Sequence, residues 1–350
     1  MEESTNINQD EDQELYEHFR FIVDKGQGLL RIDKFLMHRI ENASRSKIQA
    51  AANAGNILVN EEAVKPSYKV KPGDIISVLM EEPVREIELI AQNIPLEIAY
   101  EDEDIILVNK PPGMVAHPAY GNYSGTLVNA LIYHFLEKKS EKTGMNARPF
   151  LVHRIDKNTS GLMMSAKNEL AQARLQRQFA MHTIERKYIA LVWGDVKEDT
   201  GTIVGNIGRS LTNRKVFRVF EEGMKGKHAV THYKVLERFS YVTKIECVLE
   251  TGRTHQIRVH LRHIGHPLFN DENYGGSKIL RGTTFTKYKQ FVMNCFKTCP
   301  RHALHALTLG FIHPMTNEKM SFTSELPDDF SHLLEKWRNY SIHKSVDEQE

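Results

Sequence analysis

The chain has 350 residues, of which 41% are hydrophobic and 26% charged, and its formal net charge is +1. That is apolar material for a substantial core and length for two or three domains, which excludes a generally disordered or fibrous chain. No stretch approaches a membrane span, the start is acidic without the basic and apolar regions of a secretory signal, and Cys247, Cys295 and Cys299 offer no disulfide framework. A cytoplasmic protein is the expectation.

The near-zero net charge hides a polarised distribution. The first twenty residues carry seven acids against Arg20. Between residues 205 and 227, Arg209, Arg214, Lys215, Arg218, Lys225 and Lys227 meet only Glu221 and Glu222, and from 253 to 301 nine Lys or Arg stand against Asp271 and Glu272. Basic patches of this kind suit an anionic polymer, although a scatter of solvated charges would have the same composition.

Residues 1–19, acidic and aperiodic, read as a disordered lead-in. A compact unit is expected over 20–80. Its first helix places Ile32, Phe35, Leu36 and Arg39 on one face, and Ser44 is an N-cap for a second helix beginning at Arg45. Arg45 and Lys47 in that first turn oppose the helix dipole at a cost of up to about 1 kcal/mol, which a bound anion would relieve. Residues 56–60 alternate as a strand, and Lys71-Pro72-Gly73-Asp74 is a turn between two short β-prone runs. Arg31-Ile32-Asp33-Lys34-Phe35-Leu36, Ser44-Arg45-Ser46-Lys47-Ile48, Gly55, Val59-Asn60 and that closing turn together resemble an S4 RNA-binding domain. The resemblance implies RNA contacts from Arg31, Arg45 and Lys47.

Residues 81–94 read as a linker, 95–335 as a second domain and 336–350 as a polar C-terminal tail. In the second domain 105–109 form a buried strand ended by Lys110-Pro111-Pro112-Gly113, and 150–156 and 161–166 read as strands flanking a polar turn. Asn168 caps a helix running to residue 182, strand-like runs follow at 187–192, 229–236 and 242–249, and Ile257, Leu261 and Ile264 mark a helix over 254–264. Strands and helices mix without strict alternation, so a mixed α+β domain is expected rather than a doubly wound one.

The segment richest in chemistry is His153-Arg154-Ile155-Asp156-Lys157-Asn158-Thr159-Ser160-Gly161. In a strand ending near Asp156, the period of two puts Arg154 and Asp156 on one side of a rim. As an isolated pair they read equally as an Asx-turn with its salt-bridge partner. Cys295, Cys299, His302 and His305 imitate a zinc site only loosely, and the cysteines are more simply buried small residues. No glycine-rich phosphate loop of the Walker or dinucleotide type is present.

The nine-residue segment resembles the catalytic motif of the RluA/RluD family of pseudouridine synthases, with Ile155 in place of Leu and Asn158 in place of the second Asp. Asn109-Lys110-Pro111-Pro112-Gly113-Met114, Glu185-Arg186-Lys187-Tyr188, Thr251-Gly252-Arg253-Thr254-His255-Gln256-Ile257-Arg258-Val259-His260 and Arg301-His302-Ala303-Leu304-His305-Ala306 resemble the family in the same order. The resemblance spans about residues 95–325 and implies a largely antiparallel mixed sheet and an isomerase that needs neither cofactor nor metal. It makes Asp156 the catalytic carboxylate, either attacking C1′ or removing a ribose proton, with Arg253 paired to it. Tyr188 would stack on the uracil and Arg154 would fill the place of the flipped nucleotide, while Arg258 is left open between function and surface charge. The implied partner is structured RNA, first large-subunit ribosomal RNA and then transfer RNA, met by a monomer. A non-catalytic S4-type ribosome-assembly protein is the rival.

Overall fold

The computed structural model describes residues 16–40, 43–80, 89–118, 122–138, 148–210, 216–221 and 224–347, and the chain divides into two compact units, 1–87 and 88–350.

The first unit contains β1 (Tyr16–Ile22), β2 (Leu30–Arg31), α1 (Ile32–Arg39), α2 (Arg45–Asn53), β3 (Ile57–Val59), β4 (Glu62–Ala63), β5 (Lys69–Val70) and β6 (Ile75–Met80). An antiparallel sheet runs β1-β6-β3-β4, and β2 pairs with β5. Ile32, Phe35 and Leu36 are fully buried, and Arg39 lays its guanidinium 3.7 Å from the Phe35 ring centroid. The Ser44 hydroxyl accepts from the Lys47 N–H as the expected N-cap. β1 begins at Tyr16, inside the segment expected to be a disordered lead-in. Its pairing with β6 supplies the hydrogen bonds that composition could not foresee, and residues 1–15 lie outside the described residues.

The second unit contains β7 (Ile98–Glu101), β8 (Ile105–Lys110), α3 (Leu127–Glu137), β9 (Phe150–Leu151), β10 (Ser160–Ala166), α4 (Glu169–Ala180), β11 (Glu185–Trp193), β12 (Thr200–Arg209), β13 (Phe217–Phe220), β14 (Lys227–Arg238), β15 (Val242–Leu249), α5 (Gln256–His263), α6 (Thr286–Thr298), β16 (Leu304–Ile312), β17 (Lys319–Thr323) and α7 (Asp328–Asp347). The sheet runs β13-β12-β14-β15-β11-β16-β10-β8-β7, with β17 on β16 and β9 on β10, and every pairing is antiparallel except β10 with β16. This is the mixed, largely antiparallel α+β arrangement expected. Central strands are covered on both faces: Tyr188, Ala190 and Val192 of β11 pack in one core and Ile189, Leu191 and Trp193 in another.

Three boundaries differ from the sequence reading. The strand expected over 150–156 stops at Leu151, because the His153 imidazole Nε2 accepts the Met164 N–H at 2.9 Å and a side chain replaces the next rung of the ladder. The linker expected over 81–94 ends earlier: Asn129 donates to the Ile90 carbonyl at 2.7 Å and Ile94 packs on the core, while 81–88 lie outside the described residues. The expected polar tail continues α7, where Phe330, Leu333, Leu334 and Trp337 form a stripe buried against α6. Among the described residues no helix is long and apolar enough to cross a membrane. Arg214, Lys215 and Glu222 of the basic segment lie outside the described residues.

Candidate active site

Asp156 stands in the irregular segment between β9 and β10, on the wall of two adjoining clefts of about 460 and 720 Å³ that also share Arg154, His255 and Arg258. Side chains from distant parts of the chain lock this segment. Lys110, 1% exposed, donates to the carbonyls of Pro111, Met114 and Lys157 at 2.8, 2.9 and 3.1 Å, and burial brings its pKa down to about 7. Arg301, ion-paired with Asp329, donates to the Asn158 carbonyl and to Ser160 Oγ. His302 and His305 hydrogen-bond Thr159 and Ser160 at 2.8 and 3.0 Å, and burial pushes both imidazoles down to about 4, so they are neutral at pH 7. Gly161, at φ +112°, lets β10 meet β16: a Cβ there would lie 2.2 Å from the Ala306 carbonyl oxygen.

The carboxylate itself is held by one cation. Arg258 Nη1 donates to Asp156 Oδ2 at 2.9 Å, while its Nε and Nη2 grip Asp271 at 2.7 and 2.9 Å. Asp271 is buried and also accepts the N–H groups of Asn273 and Tyr274, so Arg258 is fixed by a partner that is itself fixed. On the other side His255 Nε2 lies 3.9 Å from Asp156 Oδ1, its Nδ1 is 2.8 Å from the Tyr274 hydroxyl, and its backbone sits at φ 56°, a conformation unusual for a residue with a side chain. Burial pushes the Asp156 pKa up. The cationic influence of His255 and Arg258, with the Arg258 hydrogen bond, outweighs it and leaves the group below the usual aspartate value. Burial also lowers the pKa of His255, so the permanent charge that keeps Asp156 ionised is that of Arg258.

Tyr188 on β11 lines the smaller cleft and is buried, which raises its pKa and keeps the phenol protonated at neutral pH. The site therefore combines an ionised carboxylate, a clamped cation, an aromatic face and an exposed Arg154 at the rim.

Residues 104–263 match the family model for RNA pseudouridylate synthase, and residues 30–76 match that of the S4 domain. Over 317 residues the chain is 46% identical to an uncharacterized RNA pseudouridine synthase of Chlorobaculum parvum, with 90% of this chain and 96% of that protein covered. This chain belongs to the RNA pseudouridine synthases. It is 42% identical over 311 residues to ribosomal large subunit pseudouridine synthase D of Zymomonas mobilis, covering 87% of this chain and 92% of that one. Among solved structures, human RNA pseudouridylate synthase domain containing 1 shares 27% identity at a TM-score of 0.50, over 68% of this chain and 86% of that chain. The protein is accordingly an isomerase of RNA uridines with an N-terminal S4 domain.

In this synthase Asp156, Tyr188, Arg154 and Arg253 all line one cleft. The expected pairing of Arg253 with Asp156 is corrected: Arg253 donates through Nε to the His228 carbonyl at 3.0 Å, and Arg258 holds the carboxylate. The reason lies in α5, where Gln256, Ile257, Arg258, Val259, His260 and Leu261 are all buried. The Ile257/Leu261 stripe marks only one of several covered faces, so leaving that stripe does not put a residue in water. Asp271 and His255 were given no role in the sequence reading; Arg258 and Asp156 are 102 positions apart and only the fold joins them. Of the zinc-like set, Cys295 and Cys299 are buried in an apolar cluster, whereas His302 and His305 serve Thr159 and Ser160.

In the S4 domain, Arg31 and Arg45 both bind the buried Asp33 carboxylate, Arg31 through Nε and Nη2 at 3.2 and 3.0 Å and Arg45 through Nε at 3.0 Å. The unfavourable Arg45 at the start of α2 is thus offset in part from within the protein. Lys47 is exposed.

Proposed function

We propose that this enzyme isomerises uridines of large-subunit ribosomal RNA, with Asp156 as the group that acts at the ribose. The observation that carries the role of Asp156 is the unequal use of its two oxygens. Oδ2 is tied to Arg258, whereas Oδ1 has no hydrogen bond among the described residues, with His255 no closer than 3.9 Å, and Asp156 lines both clefts. The reaction breaks the C1′–N1 bond, turns the bound uracil and joins C5 to C1′ with no net gain or loss of atoms. An aligned carboxylate with one open oxygen serves it, whether that oxygen attacks C1′ or takes a ribose proton.

Tyr188 offers the ring on which the loose uracil stacks, and its protonated phenol lies near the Asp156 charge. Arg154, exposed at the rim, fills the space left in the RNA stack when the nucleotide is turned out. Arg253 provides a cation on the same wall without touching the carboxylate. The S4 domain adds phosphate contacts through Lys47 and the exposed edges of Arg31 and Arg45. The choice of ribosomal RNA is supported by relatives such as the Zymomonas mobilis protein and by the paired S4 and synthase domains. The enzyme works in the cytoplasm, a reading supported by its three free, buried cysteines.

Pseudouridine mapping of ribosomal and transfer RNA from cells with and without the gene tests the target. Sites that vanish from large-subunit RNA support the reading; loss confined to transfer RNA overturns it.

A further inference from the structure

We propose that Arg186 holds the O4 edge of the flipped uracil and thereby distinguishes uracil from cytosine while the base is detached. The proposal rests on the reading of Asp156 given above. β11 places Arg186 and Tyr188 on the same face by its period of two, and both line the cleft that contains Asp156. The register shift against β16 between Lys187 and Tyr188 adds its extra residue, Leu307, to β16, and β11 keeps its alternation in regular pairing with β15.

Arg186 is only 7% exposed, yet it is poorly satisfied. Its Nη2 reaches the Glu250 carbonyl at 3.3 Å, and its Nε has no acceptor among the described residues. No carboxylate among the described residues pairs with it, and the Phe179 ring centroid lies 5.6 Å from its guanidinium. Residue 252 beside it is glycine; a Cβ there would press to 2.6 Å from Nη1. Burial lowers the Arg186 pKa, but a guanidinium stays charged. A buried cation with an unused donor is costly, and an acceptor entering the cleft would remove that cost.

The cleft also orients the base. Tyr188 lines the cleft together with Asp156 and Arg186 and lies within electrostatic reach of both charges. With C1′ and N1 at the Asp156 end, O4, across the ring from N1, falls at the Arg186 end. Arginine has only donors, so it suits the O4 of uracil and not the amino group of cytosine. When the C1′–N1 bond breaks, its electron pair leaves with the base and spreads over N1, O2 and O4. A fixed donor at O4 stabilises that anion until C5 bonds to C1′, C5 releases its proton and N1 takes one up.

The test uses the full-length enzyme in single turnover on RNA carrying uridine or 4-thiouridine at the target, sulfur being the weaker acceptor. The wild type should be slowed by sulfur. Arg186→Gln should lose about 10²-fold in the chemical step on uridine, keep RNA affinity within a few fold and become indifferent to sulfur. Arg186→Lys should fall between them. Arg186→Met should melt no lower than the wild type, because it removes an uncompensated buried charge. A sulfur effect that is absent in the wild type, or equal in wild type and Arg186→Gln, overturns the proposal. So does a loss of RNA binding that a methylphosphonate at the target phosphate reproduces, which would make Arg186 a phosphate clamp. Activity surviving in Asp156→Asn would instead refute the reading of Asp156, so the two failures are distinct.

Discussion

Two aspartates of this chain, one buried and one partly open to a cleft, meet arginine in opposite ways. Asp33 of the S4 domain is fully covered and takes hydrogen bonds from Arg31, Arg45 and Gln49, and those contacts overcome burial to hold it well below the usual carboxylate range. Its oxygens are occupied and its role ends with the fold. Asp156 keeps 21% of its side chain exposed and binds one arginine nitrogen, and the rest of that arginine is committed to Asp271. The same ion pair is a structural joint when both carboxylate oxygens are held, and on the proposed reading of Asp156 it becomes a reactive group when the cation is saturated elsewhere and one carboxylate oxygen is left open.

Removing the shared cation should do most damage. Arg258→Gln leaves Asp156 and Asp271 without their charge partner, at a cost of about 3–5 kcal/mol in stability and at least about 10²-fold in kcat. It should also move the acid limb of activity. In the wild type, activity is present at neutral pH and is lost as pH falls through an Asp156 pKa below the ordinary aspartate value. Without Arg258, burial is opposed less and that limb shifts upward, which a single-turnover pH profile and thermal melting would reveal together.

Arg154→Ala leaves the carboxylate and its clamp intact. If it is a wedge, its effect should depend on RNA structure: about 10²-fold in kcat/KM on a stem-loop, where unstacking costs a few kcal/mol, and little on an unpaired strand. Equal losses on both RNAs would move Arg154 into the chemistry of Asp156.

Asp33→Asn should reverse the pattern seen at the catalytic site. Its arginine partners are 39% and 46% exposed, so solvent weakens the pairs, and the S4 domain should lose about 1–2 kcal/mol with kcat unchanged. Because the folded pKa is depressed, this stabilisation is complete above the unfolded aspartate value and disappears as pH falls through the folded one. Denaturant unfolding of the S4 domain against pH follows it. The smallest change is expected at Arg253. Arg253→Ala removes a contact to a backbone carbonyl, so kcat/KM should fall less than about tenfold with an unshifted pH profile.

Much of this contrast could be read from the sequence. The strand-like runs of β8, β11 and β15, the caps at Ser44 and Asn168, and the segment around Asp156 were visible because each is a local pattern of one element. The partner of Asp156 was not, since helical periodicity shows one covered face and α5 is covered nearly all round. The early end of β9 depends on one histidine replacing a backbone rung, which no propensity encodes. The spacing of Phe330, Leu333, Leu334 and Trp337 was a legible helical stripe, obscured by the polar residues around it.

The central claim is that the open oxygen of Asp156 does the chemistry while binding resides elsewhere. Tritium released from RNA labelled at uridine C5 by full-length Asp156→Asn, with RNA affinity measured alongside, tests it most directly. The account predicts no release above the enzyme-free control, with affinity within a few fold of wild type because phosphate contacts supply most of the binding. Release above a few per cent of the wild-type rate would contradict it and take Asp156 out of the reaction.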